Sequence, residues 1–191
     1  MNFATPLCEI AHRYGTDKCP QLRHSYTLFY YDLLKNRQHS IKKVLELGIG
    51  TPERMVEVSN YVTGASLYMW REFFPEAQIY GADILPEAML EADRIKTFIC
   101  DETNPEDLSR LIEQTGSDID LVIDDACHQR RIQINACLWL MPMLGRNVTY
   151  IIEDINHPDK IMRELSQLYD CELIPGNPNQ RSDKMIVVRH K

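Results

Sequence analysis

Short apolar runs alternate along the chain with longer stretches in which apolar residues recur at helical spacing. Lys43 to Leu47 reads as a buried strand, and so do Gln78 to Ala82, Ile95 to Ile99, Ile119 to Ile123 and Val148 to Ile152. Short, largely apolar runs of this kind suit a parallel sheet covered on both faces. The stretches between them predict helices over Ala65 to Phe74, Asn104 to Gln114, Ile132 to Leu144 and Asp159 to Leu168. Asn104 offers an N-cap oxygen, and Pro105 fits the first helical position. Pro142 disturbs the last turn of the third helix and Gly145 ends it. Alternation of this kind argues for a doubly wound sheet. The rhythm breaks at the end of the chain. Tyr169 to Ile174 and Met185 to Arg189 both read as strands, and Pro175, Gly176, Asn177 and Pro178 disfavour a helix between them. The two strands therefore pair as an antiparallel hairpin. The expected fold is a Rossmann-like α/β unit: a doubly wound, mostly parallel, seven-stranded sheet ending in an antiparallel hairpin, with helices on both faces. Residues 1–40 read as a helical cap, and 41–191 as the single compact unit that it covers.

Composition narrows the setting. A chain of 191 residues with 44% apolar residues can bury one sizeable core. The net charge of −7 repels phosphate backbones and argues against a nucleic-acid partner. The densest basic clusters, Lys42-Lys43 and Arg130-Arg131, are too short to reverse that. None of the six cysteines forms a CxxC pair. No basic stretch followed by an apolar run opens the chain, and the longest apolar runs, such as Ala136 to Leu144, are too short to span a bilayer. A cytoplasmic protein with reduced thiols and no membrane partner is the expectation.

Ligands of open α/β sheets bind outside the carboxyl ends of the strands, so the residues there carry the functional argument. The first strand runs into Glu46-Leu47-Gly48-Ile49-Gly50, where glycines let the backbone approach a ligand closely. The third glycine of a dinucleotide loop would fall at position 53, which is Glu53; that counts against NAD or FAD. The second strand ends at Asp83. An acid here can accept hydrogen bonds from ribose hydroxyls or cap the next segment, and both readings fit. The third ends at Asp101, whose carboxylate can accept from an adenine amine. Three acids, Glu46, Asp83 and Asp101, each at one strand end, are harder to ascribe to chance. The fourth strand ends in Asp124-Asp125, followed three residues on by His128. The fifth ends in Glu153-Asp154. In this fold the fourth and fifth strands are neighbours, so four carboxylates gather at one place. Packed like charges are costly unless a cation neutralises them, and hard oxygen donors suit Mg²⁺, Mn²⁺ or Ca²⁺. Beside such a site His128 becomes a candidate general base.

At these residues the sequence resembles a known family, the metal-dependent class I methyltransferases that act on sugar hydroxyls of macrolide antibiotics, together with their short bacterial relatives. The shared stretches are YGTDK at 14–18, HSYTLFY at 24–30, VLELGIG at 44–50, GASLYMW at 64–70 and FFPEAQIYGADI at 73–84. They continue with FICDET at 98–103, IDLVIDDACHQ at 119–129 and YIIEDI at 150–155. A parallel sheet with a terminal antiparallel hairpin is also the analogy that separates this fold from the dinucleotide dehydrogenases. The resemblance implies that S-adenosylmethionine (SAM) is held by Glu46, Gly48, Gly50, Ser66, Asp83 and Asp101, with Asp124 added to the same set. It implies that Asp125, Glu153 and Asp154 ligate Mg²⁺ or another hard divalent cation, and that His128 is the base. Tyr14, Thr16, Asp17 and Lys18 of the cap would close over the cofactor. Ala126-Cys127 stand where the family has Gly-Ser, so a differently shaped loop is expected there. The stretch from Thr51 to Thr63 also diverges. The macrolide enzymes carry extra segments that this chain has no room for, which points away from a macrolide. The expected reaction is SAM-dependent, metal-assisted O-methylation of a small-molecule hydroxyl acceptor, a saccharide or other polyol. The metal would lower the pKa of the attacking hydroxyl. A dinucleotide oxidoreductase and a catalytically silent SAM-binding module are the rivals, and homo-oligomer formation stays open.

Overall fold

The computed structural model describes residues 2–56, 58, 61–177 and 183–191. Pro178, and positions 57, 59 and 60 in the stretch after the first strand, lie outside the described residues. Two helices come first, α1 (Pro6–Tyr14) and α2 (Tyr26–Leu34). The Thr5 hydroxyl accepts the N–H of Cys8 to start α1, and Gly15 ends it in the left-handed region at φ 74°. Next come β1 (Lys43–Leu47), α3 (Ala65–Phe73), β2 (Gln78–Asp83), β3 (Glu91–Ala92) and β4 (Ile95–Ile99). The chain continues through α4 (Pro105–Thr115), β5 (Leu121–Asp124), α5 (Arg130–Leu140) and β6 (Thr149–Ile152), and closes with α6 (Pro158–Leu165), β7 (Tyr169–Pro175) and β8 (Lys184–His190).

The strands form one sheet in the order β3-β4-β2-β1-β5-β6-β8-β7. The five central strands β4, β2, β1, β5 and β6 run parallel. The terminal hairpin β7–β8 joins antiparallel, with β8 against β6. The sheet has eight strands rather than seven. The addition is β3, two residues paired antiparallel to β4 at the far edge, too short to leave a hydrophobic period. The fourth central strand runs from Leu121 to Asp124, so Asp124 lies inside it. The third long helix starts at Arg130 and gives way at Leu140 to a 3-10 turn, Met141–Met143, that takes up Pro142. Asn104 caps α4 through its side-chain oxygen, with Pro105 next.

The pleat of the strands sorts their side chains between two cores. Leu45 and Leu47 of β1, Val122 of β5 and Tyr150 and Ile152 of β6 pack with α4, α5 and α6. Val44, Leu121, Ile123 and Ile151 face the other way. There they pack with Trp70 and Phe73 of α3 and with Leu7, Ala11, Tyr26, Tyr30 and Leu34 of the first forty residues. The N-terminal helices thus share the core of one sheet face. Residues 46 and 153 have the parity of that face, and residue 124 that of the opposite one. This detail decides where the acids go.

Candidate active site

A cavity of about 490 Å³ opens at the carboxyl ends of β1, β2, β4 and β5. Such crevices are where open α/β sheets bind ligands. Gly48, Gly50, Ser66, Asp83 and Asp101 line one part of it, and Asp125, His128 and Asp154 another. Thr16, Asp17 and Lys18, from the turn between α1 and α2, line a third; Tyr14 is elsewhere, stacked on Tyr68 and bonded to Glu72.

The glycine loop is fixed by close approach. Gly48 has φ +87°, and a Cβ there would lie 2.3 Å from the carbonyl oxygen of Asp125. No side chain fits between the exits of β1 and β5. Asp83 pins the same loop. Its Oδ2 accepts the N–H groups of Ile49 (2.8 Å) and Gly50 (3.1 Å), and its Oδ1 accepts that of Leu85 (3.0 Å). A carboxylate offers about four lone-pair sites, so acceptor capacity remains toward the cavity. Asp101 Oδ1 accepts the N–H and hydroxyl of Thr103.

Glu46 and Asp124 do not line the cavity. Glu46 is buried, accepts Trp70 Nε1–H at 3.1 Å and lies 3.3 Å from Lys18 Nζ. Burial pushes its carboxyl up to about 7, against the pull of Lys18. Glu46 thus sits behind the cavity, held by Trp70 and Lys18. Asp124 points to the opposite face, where Tyr150 O–H donates to it at 2.9 Å. Burial raises its pKa to about 7, and its Oδ1 finds no partner among the described residues.

Lys18 is the centre of the acidic cluster. Its side chain is 2% exposed, and Nζ lies 2.5 Å from both Asp125 Oδ2 and Glu153 Oε2. Burial works against its charge, yet Asp125, Glu153 and Glu46 outweigh burial and hold its pKa well above the ordinary value. Tyr30 O–H donates to Glu153 Oε1 at 2.5 Å. Glu153 is therefore turned toward α2, and burial raises its pKa despite Lys18. Asp154 takes the other direction. Its φ is +53°, a conformation uncommon for a residue other than glycine. Tyr26 O–H donates to its Oδ1 at 2.6 Å, and its own N–H donates to the Tyr26 oxygen at 3.2 Å.

That turn brings Asp154 Oδ2 within 3.3 Å of His128 Nε2, which also lies 3.5 Å from Asp125 Oδ1. One ligand atom from each of Asp125, His128 and Asp154 lies within 4.8 Å of the others. The two carboxylate oxygens are hard donors that fit Mg²⁺ or Mn²⁺, and the imidazole lies beside them. The hydrogen bond to Asp125 raises His128 to about 9, opposed by burial and helped by Asp154. Burial lifts Asp125 and its cation partners pull it down; Lys18 and His128 prevail and hold it well below the carboxylate range. Ala126 avoids the left-handed region, which among non-glycine described residues holds only Arg94 and Asp154. The loop is instead tied by Glu102, whose Oε1 accepts the Cys127 N–H at 2.7 Å.

Glu102, Tyr26, Tyr30 and the pairing of Lys18 were not singled out from the sequence. The stretches that contain them were, as YGTDK, HSYTLFY and FICDET. What no pattern conveys is that a lysine 107 and 135 residues before Asp125 and Glu153 inserts between them.

The fold is that of the Rossmann-like methyltransferases. The chain is similar to a solved methyltransferase of the mycinamycin pathway, in complex with Mg, S-adenosylhomocysteine (SAH) and mycinamycin VI, with a TM-score of 0.78 and 24% identity over 97% of this chain and 54% of that one. An O-methyltransferase from Bacillus cereus in complex with SAH gives a TM-score of 0.62 at 11% identity, over 97% of this chain and 90% of that one. In sequence, the chain is 36% identical over 149 residues to the 8-demethyl-8-(2-methoxy-alpha-L-rhamnosyl)-tetracenomycin-C 3'-O-methyltransferase of Streptomyces olivaceus. It is 34% identical over 152 residues to the mycinamicin VI 2''-O-methyltransferase of Micromonospora griseorubida. Each match covers 78% of this chain, and the chain spans only 36% of the length of either relative. No family model matches.

Proposed function

We propose that the chain is a SAM-dependent, divalent-metal-assisted O-methyltransferase whose acceptor is a hydroxyl of a sugar or polyol-like small molecule. The observation that carries this is one cavity with two kinds of lining. Gly48, Gly50, Ser66, Asp83 and Asp101 suit an adenosyl cofactor, and Asp125, His128 and Asp154 suit proton removal beside a hard cation. The relatives named above, two of them O-methyltransferases by name, one of these for a rhamnosyl compound, and one solved with Mg and SAH, support the same reading.

Gly48 and Gly50 keep the loop thin enough for backbone contact, and Asp83 and Asp101 are assigned to the ribose and the adenine. Glu46 anchors Trp70 and Lys18 behind the cavity, and Asp124 braces β5 against β6 through Tyr150. Asp125, Glu153 and Asp154 are the oxygen donors proposed for Mg²⁺. Asp125 and Asp154 already face each other across His128, while Glu153 is engaged by Lys18 and Tyr30. A divalent ion held there supplies positive charge that acidifies a neighbouring hydroxyl. His128 would take the hydroxyl proton at Nε2, and bound SAM would supply the methyl group to the attacking oxygen, its sulfur keeping the electron pair of the broken S–C bond. The residues 1–40 cap bounds the site with Thr16, Asp17 and Lys18.

Methyl transfer from labelled SAM to a panel of rhamnosides and other glycosides, with Mg²⁺ and with EDTA, tests the proposal. Label should appear in a hydroxyl acceptor only with the metal. Undiminished transfer in EDTA contradicts the metal assignment. SAH binding without transfer to any acceptor favours a silent module.

A further inference from the structure

A second groove begins where the first cavity ends, with His128 lining both. Its walls are the starts of two helices: Arg130 and Arg131 at α5, and Asn156, His157 and Lys160 around the start of α6. No carboxylate lines it among the described residues, on a chain whose net charge is −7. Arg131 is engaged by Glu164, at 2.8 and 3.4 Å. Arg130 and Lys160 enter no ion pair among the described residues, and Arg130 Nε is shut off from water with no hydrogen-bond partner. Neither Gln129 nor His157 caps its helix with a side chain. Pro158 carries no N–H, and the Ile132 and Lys160 N–H groups bond the Gln129 and His157 carbonyls. The first-turn N–H groups left without an acceptor among the described residues are therefore those of Arg130, Arg131 and Asp159. The only acid in the first turn of α6, Asp159, is exposed and outside the groove lining.

Unpaired Arg and Lys side chains beside two uncapped helix starts form an arrangement that attracts a phosphate dianion rather than a neutral glycoside. We propose that this groove binds a phosphoryl group of the acceptor, so that the acceptor is a phosphorylated sugar: a sugar phosphate or a nucleotide sugar. The shared residue His128 sets the order of parts, with the reactive hydroxyl in the first cavity and the phosphoryl group in the groove. The identity of the acceptor rests on the methyltransferase reading; the presence of an anion subsite does not.

Calorimetric titration of glucose 1-phosphate and of glucose, in EDTA and with and without SAH, tests the groove directly. EDTA keeps divalent ions off the phosphate. Glucose 1-phosphate should bind at least about tenfold more tightly than glucose, and the advantage should shrink with added salt. Arg130→Gln combined with Lys160→Gln should cut that advantage by about tenfold or more, leaving SAH affinity and thermal unfolding at wild-type values. UDP-glucose binding above glucose 1-phosphate assigns the groove to a nucleotide sugar, and the reverse order to a simple sugar phosphate; either supports the subsite. Equal affinity for glucose and its phosphate in the wild type, or an unchanged advantage in the double variant, overturns it. Phosphate binding in a protein that fails to bind SAH would leave the subsite standing and remove the methyltransferase reading instead.

Discussion

Lys18 does at the scale of one residue what a bound cation does at a metal site: it neutralises acids that burial and crowding would otherwise protonate. Lys18→Met keeps much of the stem and removes the charge, leaving Asp125, Glu153 and Glu46 without their shared partner. Loss of one partner of a buried pair costs about 3–5 kcal/mol, so urea unfolding should show a loss of that order, smaller at acid pH where the stranded carboxyls take up protons. A pH-independent loss below about 1 kcal/mol would mean that the ammonium contributes little. His128 is the second case. In the metal-free protein its imidazolium should titrate near 9, and Asp125→Asn, which removes the first cause of the shift, should bring it down toward the ordinary value of about 6.5. Mg²⁺ should lower it as well, because a cation among the same carboxylates disfavours the protonated ring. Imidazole chemical shifts followed across pH would show both changes. The residues at strand ends were legible in the sequence because the fold dictates that ligands meet there. The partners were not, since Lys18, Tyr26 and Tyr30 reach Glu153 and Asp154 only through tertiary packing.

Among the elements, the exit of β1 is the tightest junction. Gly48→Ala would place a methyl group on the backbone of Asp125 and Ala126 at a positive φ. Strain of this kind costs roughly 1–3 kcal/mol. Because the displaced backbone carries Asp125, SAH affinity and Mg²⁺ affinity should fall together. A thermal-unfolding scan paired with SAH titration checks this; wild-type values in both would show that the loop has slack. The parallel strands were readable because each is a short apolar run, and the hairpin because prolines and Gly176 disfavour a helix between its strands. Three features were not readable. The strand β3 holds only Glu91 and Ala92. The start of α5 at Arg130 lies two residues before the apolar pattern begins. The parity that turns Asp124 toward Tyr150, while Glu153 meets Lys18, depends on register, and a cluster of four acids in sequence does not reveal it.

Across the whole molecule, buried acids set the response to pH. Burial raises Glu46 and Asp124 to about 7 and Glu102 to about 8, and His128 is raised to about 9. Each binds its proton more tightly folded than unfolded. Each contribution is therefore complete below the unfolded pKa and is lost as pH rises through the folded one. The carboxyl window opens near 4 and the histidine window near 6.5. The metal-free protein should lose thermal stability steadily from about pH 5 to about pH 9, whereas Mg²⁺ bound to the folded state should restore part of it at the alkaline end. A melting temperature that rises over that range without metal would contradict the burial of these groups. Among the described residues no helix is long and apolar enough to cross a membrane. The central claim is that the cavity at the strand ends takes an adenosyl-sulfur cofactor. Calorimetric titration of SAH into the EDTA-treated protein, with NAD in a parallel cell, tests it most directly. Saturable binding of one SAH per chain, with no heat from NAD, is the predicted result; NAD binding in its place, or no binding of SAH, would contradict it.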